Sequence, residues 1–502
     1  MSLCKGARFL VAAARKPSAR KLSARTASRN RGGSPLSAPP TMPTPARNTI
    51  VIDNGGHRCR VGFAGEAEPR RTMMNGMAKS KTEHKTFVAD QVEKAKDFSA
   101  LQYRLSLERG VLVNWDTQAE VWARAFGPEV LKIAPAETSL LLSEAPLTPS
   151  AIQDTLDEMV FEHFGFHSYC TRPAPTLAAL GAQEAEPPAH GATLVVDAGF
   201  SATHCVPIYG GHALNFAAKR LNIGGKLLTN HLKQVVSYRS LNVLEETRHA
   251  AQFSAHFCRR NSAAFSQPRG PPRLMNDVKH RLCYLSLDFD AELALTRFKG
   301  KKNTIKREFV LPDFVNTFEG RIRDPNAPAA EAAATAAAAA PAAAPAAAPD
   351  ASKKKATVAA AEEQALTLSN ERICVPELLF TPSDLGMEQA GVAECVVQAV
   401  DACVPDLREA LYSNIVVTGG STLFPNFEER LRRELRALAP TDYAIGVKAA
   451  PQPLLSAWRG GSLFAASEGF AAQTVTREQY REGGHSLCRR KFLGHTEGGV
   501  TL

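Results

Sequence analysis

Three segments of the chain are apolar in the manner of buried strands, and each ends in a turn of small residues. They are residues 49–56 (TIVIDNGG), residues 193–200 (TLVVDAGF) and residues 414–420 (NIVVTGG). A β-branched apolar run that stops at Asp-x-Gly or Gly-Gly predicts a buried strand followed by a tight turn. The hydrophobic pattern therefore indicates at least three strand–turn units.

The first two units are similar, and each is followed by a second strand-like run. Residues 59–63 (CRVGF) follow the first turn, and residues 203–207 (THCVP) follow the second. A repeated order of strand, Asp-x-Gly turn and strand is typical of an internal duplication. We therefore expect two related lobes that face each other.

The third unit leads into a helix instead of a second strand. Residues 426–435 place Phe427, Leu431 and Leu435 at helical spacing. A strand, a glycine turn and a helix start together form a favourable site for a nucleotide. Three arginines of the same helix, Arg430, Arg432 and Arg433, are predicted to lie on its solvated face.

The turns carry groups that suit a nucleotide with a divalent cation. Glycines let backbone N–H groups approach phosphate oxygens closely, and carboxylates at strand ends hold magnesium, usually through water. A single Asp-x-Gly turn is more often an ordinary hairpin turn. Two of them in matching strand context, followed by a Gly-Gly turn, favour a cleft that clamps a triphosphate between two lobes.

The charge of the chain is unevenly distributed. The formal net charge is +10, but residues 1–48 contain ten Lys or Arg and no Asp or Glu, which leaves 50 basic and 50 acidic residues in the remainder. The body therefore lacks the basic surface of a protein that grips a phosphate backbone. We expect no direct sequence-specific DNA binding.

Two segments have the composition of disordered chain and divide the protein. Residues 1–48 are basic and rich in Ser, Ala and Pro, and residues 324–361 are rich in Ala and Pro. The expected organisation is a tail (1–48), a first folded part (49–323), an insert (324–361) and a second folded part (362–494). Three interpretations of the tail stay open: a disordered tail, a transit peptide, or an extension upstream of a start at Met42.

The cysteines argue against a zinc-binding or disulfide-stabilised protein, and the hydropathy argues against a membrane protein. The ten cysteines are scattered without a CxxC pair or zinc spacing, which favours free, buried thiols in a reducing compartment. No apolar run reaches the length of a membrane helix, so we expect no membrane partner.

Several motifs resemble the actin family in sequence and in order. They include RVGFAG at 60–65, VNWD at 113–116, LSEAP at 142–146, THCVPIY at 203–209 and KHRLCY at 279–284. Together with the three turns, they resemble the ATPase superfamily of actin, heat-shock chaperones and sugar kinases. The resemblance implies an α/β, actin-like two-lobed fold with a nucleotide cleft between the lobes.

Other segments resemble one nuclear branch of that family, the actin-related proteins of Swr-type chromatin remodellers. They are NIGGKLLTNHLK at 222–233, FVLPDF at 309–314, NERICVPE at 370–377, PSDLG at 382–386 and TREQY at 476–480. The resemblance implies a non-catalytic subunit of a complex that exchanges a conventional histone for a variant one. Its partners would be a helicase-like ATPase and other subunits, with histones as a further candidate. It would reside in the nucleus, with the cytoplasm as a second location.

The resemblance also assigns roles to residues of the turns, with ATP or ADP and magnesium as the ligand. Asp53 and Asp197 would face the magnesium ion. The other nucleotide-binding residues would be Gly55, Gly56, Arg60 and Gly199 at the phosphates, Lys279 near the base, and Gly419 and Gly420 near the adenosine.

Four departures from the actin pattern change the expected chemistry. His57 would crowd the first turn, and Phe200 and Ser201 stand where actin has Asp and Gly. The position of the water-orienting glutamine falls on Ala174, which cannot orient water. We therefore expect nucleotide to be bound but hydrolysed poorly or not at all.

The alternatives are a cytoskeletal actin-like protein that binds or caps filaments, and a weak ATPase. The unusual stretches 224–233 and 370–386 are candidate partner surfaces.

Overall fold

A computed structural model describes residues 49–80, 83–95, 101–182, 191–243, 273–311, 320–325 and 365–492, all within one compact unit. Within these ranges no helix combines the length and the hydropathy needed to cross a membrane. The predicted tail (1–48) and nearly all of the predicted insert (324–361) lie outside the described residues.

The first lobe is built on a six-stranded sheet in the order β20–β10–β9–β1–β2–β3. Strands β1, β9 and β10 are parallel, whereas β2, β3 and β20 run antiparallel to their neighbours. Its strands are β1 (Thr49–Asn54), β2 (Arg58–Phe63), β3 (Arg71–Met74), β9 (Ser139–Glu144), β10 (Ser168–Pro173) and β20 (Val475–Thr476).

The second lobe repeats this arrangement. Its sheet has the order β13–β12–β11–β18–β19, with β14 paired to β12, and β11, β18 and β19 are parallel. Its strands are β11 (Ala192–Ala198), β12 (Thr203–Tyr209), β13 (His212–Ala213), β14 (Lys219–Leu221), β18 (Ile415–Thr418) and β19 (Val447–Ala449). Each sheet contains a hairpin, β1–β2 in the first lobe and β11–β12 in the second. Two further strands, parallel to the first strand of the hairpin, lie beside that strand in each sheet. The duplicated topology follows the sequence repeat.

Three smaller sheets complete the strand set within the described ranges. One has the order β5–β4–β6, another β16–β15–β17, and β7 pairs with β8 as a hairpin. Their strands are β4 (Gly76–Ser80), β5 (Thr86–Val88), β6 (Leu101–Leu105), β7 (Leu107–Glu108), β8 (Val111–Leu112), β15 (Arg307–Val310), β16 (Arg321–Arg323) and β17 (Ala365–Leu368). Strands β16 and β17 flank the predicted insert, and both pair with β15.

Helices cover the two main sheets. They are α1 (Trp115–Phe126), α2 (Ser150–Glu158), α3 (Ala174–Ala182), α4 (Gly225–Val243), α5 (Arg273–Leu282), α6 (Phe289–Thr296), α7 (Glu371–Glu377), α8 (Val392–Asp401), α9 (Pro405–Ser413), α10 (Phe427–Leu438), α11 (Ser456–Ala466), α12 (Phe470–Gln473) and α13 (Arg477–Phe492). A π-helical turn, Met159–His163, extends α2. Short 3₁₀ turns lie at Ala89–Lys94, Pro135–Glu137, Gly300–Lys302, Pro382–Leu385 and Gly420–Leu423.

Helices α3 and α11 pack against each other between the lobes. A Cβ atom at Gly460 would collide with the carbonyl oxygen of Leu177, and one at Gly181 with that of Ser456. Glycine at these two positions therefore sets the closeness of the helices. Trp458 of α11 is fully buried, and its Nε1 donates to the carbonyl oxygen of Val51 in β1 at 3.2 Å.

The predicted strands and the late helix form where the pattern placed them, but one surface prediction was wrong. Phe427, Leu431 and Leu435 are buried on α10, as the spacing predicted. Arg432 and Arg433 are partly exposed, whereas the Arg430 side chain is only 14% exposed and pairs with Glu377 at 2.7 Å. An arginine buried in this way is held by a partner from another helix, which the periodicity of one helix cannot reveal.

The cysteine prediction is confirmed for the described part of the chain. The eight cysteines described there are free, and all except Cys374 are buried. Burial raises the pKa of Cys205 well above its usual value, so this residue is a packed thiol and not a nucleophile.

The stretches suggested as partner surfaces are largely internal. In residues 224–233 the side chains of Leu228, Thr229 and Leu232 are fully buried, and residues 370–386 are mostly buried up to Pro382. Packing within the lobe therefore accounts for most of their sequence. The end of the second stretch, with Ser383 and Asp384, is exposed.

Candidate nucleotide-binding site

The two Asp-x-Gly turns lie at equivalent places in the two sheets. In β1–β2 the residue opposite Asp53 is Arg60, and in β11–β12 the residue opposite Asp197 is His204. Each aspartate is thus the penultimate residue of the first strand of its hairpin, beside the carboxyl ends of parallel strands. Ligands of open α/β sheets bind at such edges.

Asp53 is fully engaged by neighbouring side chains. Its Oδ2 accepts from Arg60 Nη1 at 2.6 Å, and its Oδ1 accepts from Ser143 Oγ at 2.8 Å. The Asp53 and Arg60 side chains are 9% and 13% exposed, so this ion pair is largely shielded from water. Ser143 also accepts the backbone N–H of Asn54 at 3.0 Å, which fixes β9 to the first turn.

The amide side chains of Asn54, Asn75 and Gln118 form a hydrogen-bond network at the first turn. Asn75 donates to Asn54 Oδ1 and to the carbonyl oxygen of Gly55, both at 2.9 Å. Gln118 donates to Asn75 and accepts from Asn54, both at 3.2 Å. Because each amide both donates and accepts, the network leaves little freedom for the turn to move.

The backbone groups of the second turn bind protein partners. The N–H of Gly199 donates to the carbonyl oxygen of Ala202 at 3.1 Å. At the start of α4, the N–H groups of Gly225 and Lys226 donate to the carbonyl oxygens of Gly199 and Phe200. This helix start therefore holds the turn in place with donors that could otherwise face an anion.

Side chains of the two turns meet across the cleft. The His57 ring stacks on the Phe200 ring with a centroid separation of 4.7 Å and an interplanar angle of 21°. A Cβ atom at Gly56 would collide with Ser201 Oγ, so this hydroxyl lies directly against the Gly56 backbone. The crowding expected at His57 thus takes the form of a stacking contact with the opposite lobe.

The third turn completes the cleft beside the second. Gly419 has a φ of +95°, and a Cβ atom there would lie 2.8 Å from Asp197 Oδ1, so only glycine fits. Its N–H donates to the carbonyl oxygen of Pro453 at 3.0 Å. Lys279 is 2% exposed, and its Nζ donates to the carbonyl oxygen of Gly225 at 3.1 Å. The structure therefore brings Lys279, Gly419 and the second turn together.

Burial shifts the pKa of several cleft groups. Burial, together with the charge of Asp53, raises the pKa of Asp197 to about 7. Burial lowers the pKa of Lys279 to about 8. It lowers the pKa of His57 to about 4, and the cations Arg58, Lys279 and Arg60 act in the same direction. His57 is therefore neutral at pH 7, within a group of positive charges.

His204 lies behind the second turn. Burial lowers its pKa to about 4, and its Nε2 has no hydrogen-bond partner among the residues that the structure describes. His204 is therefore neutral at pH 7. A neutral imidazole has one N–H donor and one nitrogen lone pair that can accept a hydrogen bond.

The predicted magnesium site has a competing cation at Asp53. The Arg60 guanidinium already binds the Asp53 carboxylate. A divalent cation on the same carboxylate would lie close to this guanidinium and would be repelled by its positive charge. Asp197 supplies at most one carboxylate, so a magnesium ion there would depend on waters and nucleotide phosphates for the rest of its octahedral oxygen shell. Magnesium therefore stays a prediction, and the Arg60–Asp53 ion pair disfavours it.

The structure gives a definite place to Ala174. It is the first residue of α3 and follows β10 directly, and the β9–β10 register pairs Pro173 with Glu144. Its position is therefore at the carboxyl edge of the sheet, two strands from Asp53 and on the order of 10 Å away. A side chain that oriented water would stand at this edge, and alanine has no polar group to do so.

A second cluster of possible ligands lies away from the cleft. Asp154, Asp157 and His485 bring their polar atoms close together. Arg489 pairs with both aspartates, and its contact with Asp154 measures 3.5 Å. A guanidinium thus supplies the positive charge here, so the cluster is an ion-pair network.

Comparison with known proteins agrees with this geometry. The family model described as Actin matches residues 44–493. A rice (Oryza sativa) protein named Actin-related protein 6 is 39% identical over 456 residues, covering 90% of this chain and 100% of its own length. The Arabidopsis thaliana protein of the same name is 38% identical, covering 89% and 99%, and the Drosophila melanogaster one is 30% identical, covering 88% and 98%.

The fold and the cleft define an actin-type protein with two lobes. The chain therefore belongs to the actin family and, within it, to the group called actin-related protein 6. This confirms the resemblance drawn from the motifs.

Sequence reasoning missed part of the site. Ser143 lies within a motif that marked the family, but its bond to Asp53 depends on the parallel pairing of β1 with β9. Asn75 and Gln118 lie outside every motif considered. The closeness of Ser201 to Gly56 depends on how the two lobes meet, which no local pattern encodes.

Proposed function

We propose that this protein is a non-catalytic actin-related subunit of a nuclear chromatin-remodelling complex. The complex would exchange a conventional histone for a variant histone in nucleosomes and so regulate transcription. Its motor would be a separate helicase-like ATPase, and the protein would contribute a folded platform that binds other subunits. The cytoplasm is a second location to examine.

The likeness to actin-related protein 6 over about 90% of the chain carries this proposal. The charge balance supports it, because a body with equal numbers of acidic and basic residues depends on partners to reach nucleosomes. Alanine at position 174 supports the non-catalytic part, since a water-orienting side chain is a standard element of nucleotide hydrolysis.

We further propose that the cleft binds an adenine nucleotide as a structural ligand. A ligand that binds only the folded state stabilises it by about 2.7 kcal/mol at a hundredfold excess over its dissociation constant. The two lobes would then be held together by a nucleotide that is hydrolysed poorly or not at all. Phosphate release as fast as that of filamentous actin would contradict this.

The assembly proposal is tested by purification from nuclei. The tagged chain should bring down a helicase-like ATPase together with histone-exchange subunits, as identified by mass spectrometry. Recovery with filaments instead, in a high-speed pellet with magnesium and ATP, would support the cytoskeletal alternative and contradict the remodeller assignment.

A matched pair of variants sharpens this experiment. Asp384→Arg reverses a charge at the exposed end of the unusual stretch 370–386, and Glu409→Arg reverses one at an exposed position of α9. If the stretch carries a partner surface, Asp384→Arg should reduce recovery of the complex, whereas Glu409→Arg should not. If the complex is recovered equally well with both variants, the exposed end of the stretch 370–386 is not a partner surface.

A further inference from the structure

The phosphate end of the cleft is largely filled by the protein's own groups. Arg60 provides the positive charge next to Asp53, at the place where a magnesium ion was predicted. The Asp53 carboxylate is also bound by Ser143, and its surroundings leave it only 9% exposed. Displacing Arg60 would leave a buried arginine that needs new partners, and an unpaired buried charge is strongly unfavourable.

The space between the two turns is closed as well. Ser201 Oγ rests on the Gly56 backbone, and the His57–Phe200 stack lies beside this contact. Groups in van der Waals contact leave no room for a phosphoryl group between them. A terminal phosphate clamped by both turns would have to separate this pair of rings.

The β7–β8 hairpin strengthens the closure. Its tip, Gly110, approaches the Ser201 side chain, with 3.5 Å from a Cβ built on Gly110 to Ser201 Cβ. Arg220 of the second lobe donates to the carbonyl oxygen of Arg109 beside this glycine. Ser201 is therefore enclosed by Gly56 on one side and by the hairpin tip on the other.

The remaining part of the cleft still suits an anion. Arg60 and Lys279 act electrostatically on His57, as does Arg58, which also pairs with Glu93 at 3.2 Å. A guanidinium carries five N–H donors, so the contact of Arg60 with Asp53 leaves donors for a phosphate oxygen. Gly419 and Gly420 present the turn that the sequence assigned to the adenosine.

We infer that the cleft takes an adenine nucleotide without a terminal phosphate, ADP or a smaller one, and binds it without magnesium, with Arg60 as the resident cation. This inference rests on the proposed nucleotide ligand and narrows it from ATP or ADP with magnesium. It also gives a second reason for the expected absence of hydrolysis, because a site that excludes the terminal phosphate holds no β–γ phosphoanhydride bond to cleave.

The test uses the purified full-length protein with ADP or ATP, each in magnesium or in excess EDTA. Calorimetry and melting curves should give the same ADP affinity and the same thermal shift in both conditions. ATP should bind more weakly by at least about tenfold, which corresponds to about 1.4 kcal/mol. Loss of ADP binding in EDTA, tighter binding of ATP, or no binding of either nucleotide would each overturn the inference.

Variants connect the result to the named residues. Phe200→Ala removes the stack and should bring ATP affinity closer to that of ADP. Arg60→Met should make stability respond to magnesium, since Asp53 then lacks a cation. Tyr480→Leu is the control, because it breaks a stack with Phe161 of nearly the same separation, 4.6 Å, outside the cleft. It should leave the ATP-to-ADP ratio unchanged.

The outcome separates this inference from the proposed function. The comparison of magnesium with EDTA uses the unmodified protein. The inference therefore stays testable even if a variant fails to fold. A protein that binds no nucleotide but still co-purifies with a remodeller would remove the inference and keep the assembly proposal. Magnesium-dependent ATP binding would remove the inference and keep a nucleotide ligand.

Discussion

Replacing Arg430 by methionine should destabilise the second lobe more than any change among the exposed arginines of the same helix. Its guanidinium donates to both Glu377 oxygens, at 2.7 and 3.2 Å, and to the carbonyl oxygen of Ser286 at 2.6 Å. These bonds join α10, which follows the Gly419–Gly420 turn, to α7 and to the loop after α5. The Arg430 and Glu377 side chains are 14% and 4% exposed.

The expected magnitude follows from this burial. Removing one partner of a buried ion pair costs about 3–5 kcal/mol, because the other charge stays in a medium that solvates it poorly. The double variant Arg430→Met, Glu377→Leu removes both charges and should recover about 1–3 kcal/mol of that loss. We expect a free energy of unfolding about 3 kcal/mol lower for the single variant, since Arg430 retains some exposure to water.

The loss should also depend on pH. Burial raises the pKa of Glu377, and Arg430 opposes that shift. Without Arg430 the pKa of Glu377 in the folded state rises further above its value in the unfolded chain. A carboxyl group with a raised folded-state pKa costs no stability below its unfolded pKa of about 4.3. Its cost grows as the pH rises from that value towards the folded-state pKa and is complete above the folded-state pKa. The difference between variant and parent should therefore be large at pH 7 and small near pH 4.

Urea unfolding followed by circular dichroism measures these differences, and Arg432→Met is the matched control. Arg432 lies on the same helix and pairs with Glu428 at 2.6 Å, but the two side chains are 38% and 41% exposed. An exposed pair of this kind contributes about 0–1 kcal/mol. If Arg430→Met costs no more than Arg432→Met, or if its cost is the same at both pH values, the reasoning from burial is wrong.

Three further predictions concern the fold. Gly460→Val should abolish soluble expression, because a Cβ there collides with the Leu177 carbonyl, whereas Gly469→Val, with no atom within 4 Å of its Cβ, should be tolerated in the same assay. Trp458→Ala should lower the free energy of unfolding by about 3–5 kcal/mol, measured in urea, and a loss below 1 kcal/mol would contradict its assignment to the core. Replacing residues 324–361 by a short Gly-Ser linker should leave the melting temperature unchanged, because both flanking strands pair with β15, and a clear drop would show that the insert supports the fold.

Much of the fold could be predicted from the sequence because its strongest signals are local. The β-branched runs before the turns are buried strands in the structure, with Ile50, Val51 and Ile52 almost completely buried. The spacing of Phe427, Leu431 and Leu435 predicted the buried face of α10. These patterns depend only on the geometry of one strand or one helix.

The site was predicted less completely, because its contacts join distant parts of the chain. The residues Asp53 and Asp197 were found as a repeated motif, and their equivalent register in the two hairpins agrees with it. The motif could not show that Arg60 pairs with Asp53. Arg430 was assigned to a solvated face for the same reason, since its partner Glu377 comes from another helix.

The sequence by itself indicated the family and the three strand–turn units of the cleft, and the resemblance assigned Ala174 to the position of the water-orienting glutamine. These are properties of residue identity and of spacing along one element. Only the tertiary structure decided that His57 stacks on Phe200 and that Ser201 closes on Gly56. Those contacts join residues of two lobes, and their existence depends on how α3 and α11 pack between the sheets. Because packing is set by all the side chains at an interface together, no single segment contains that information.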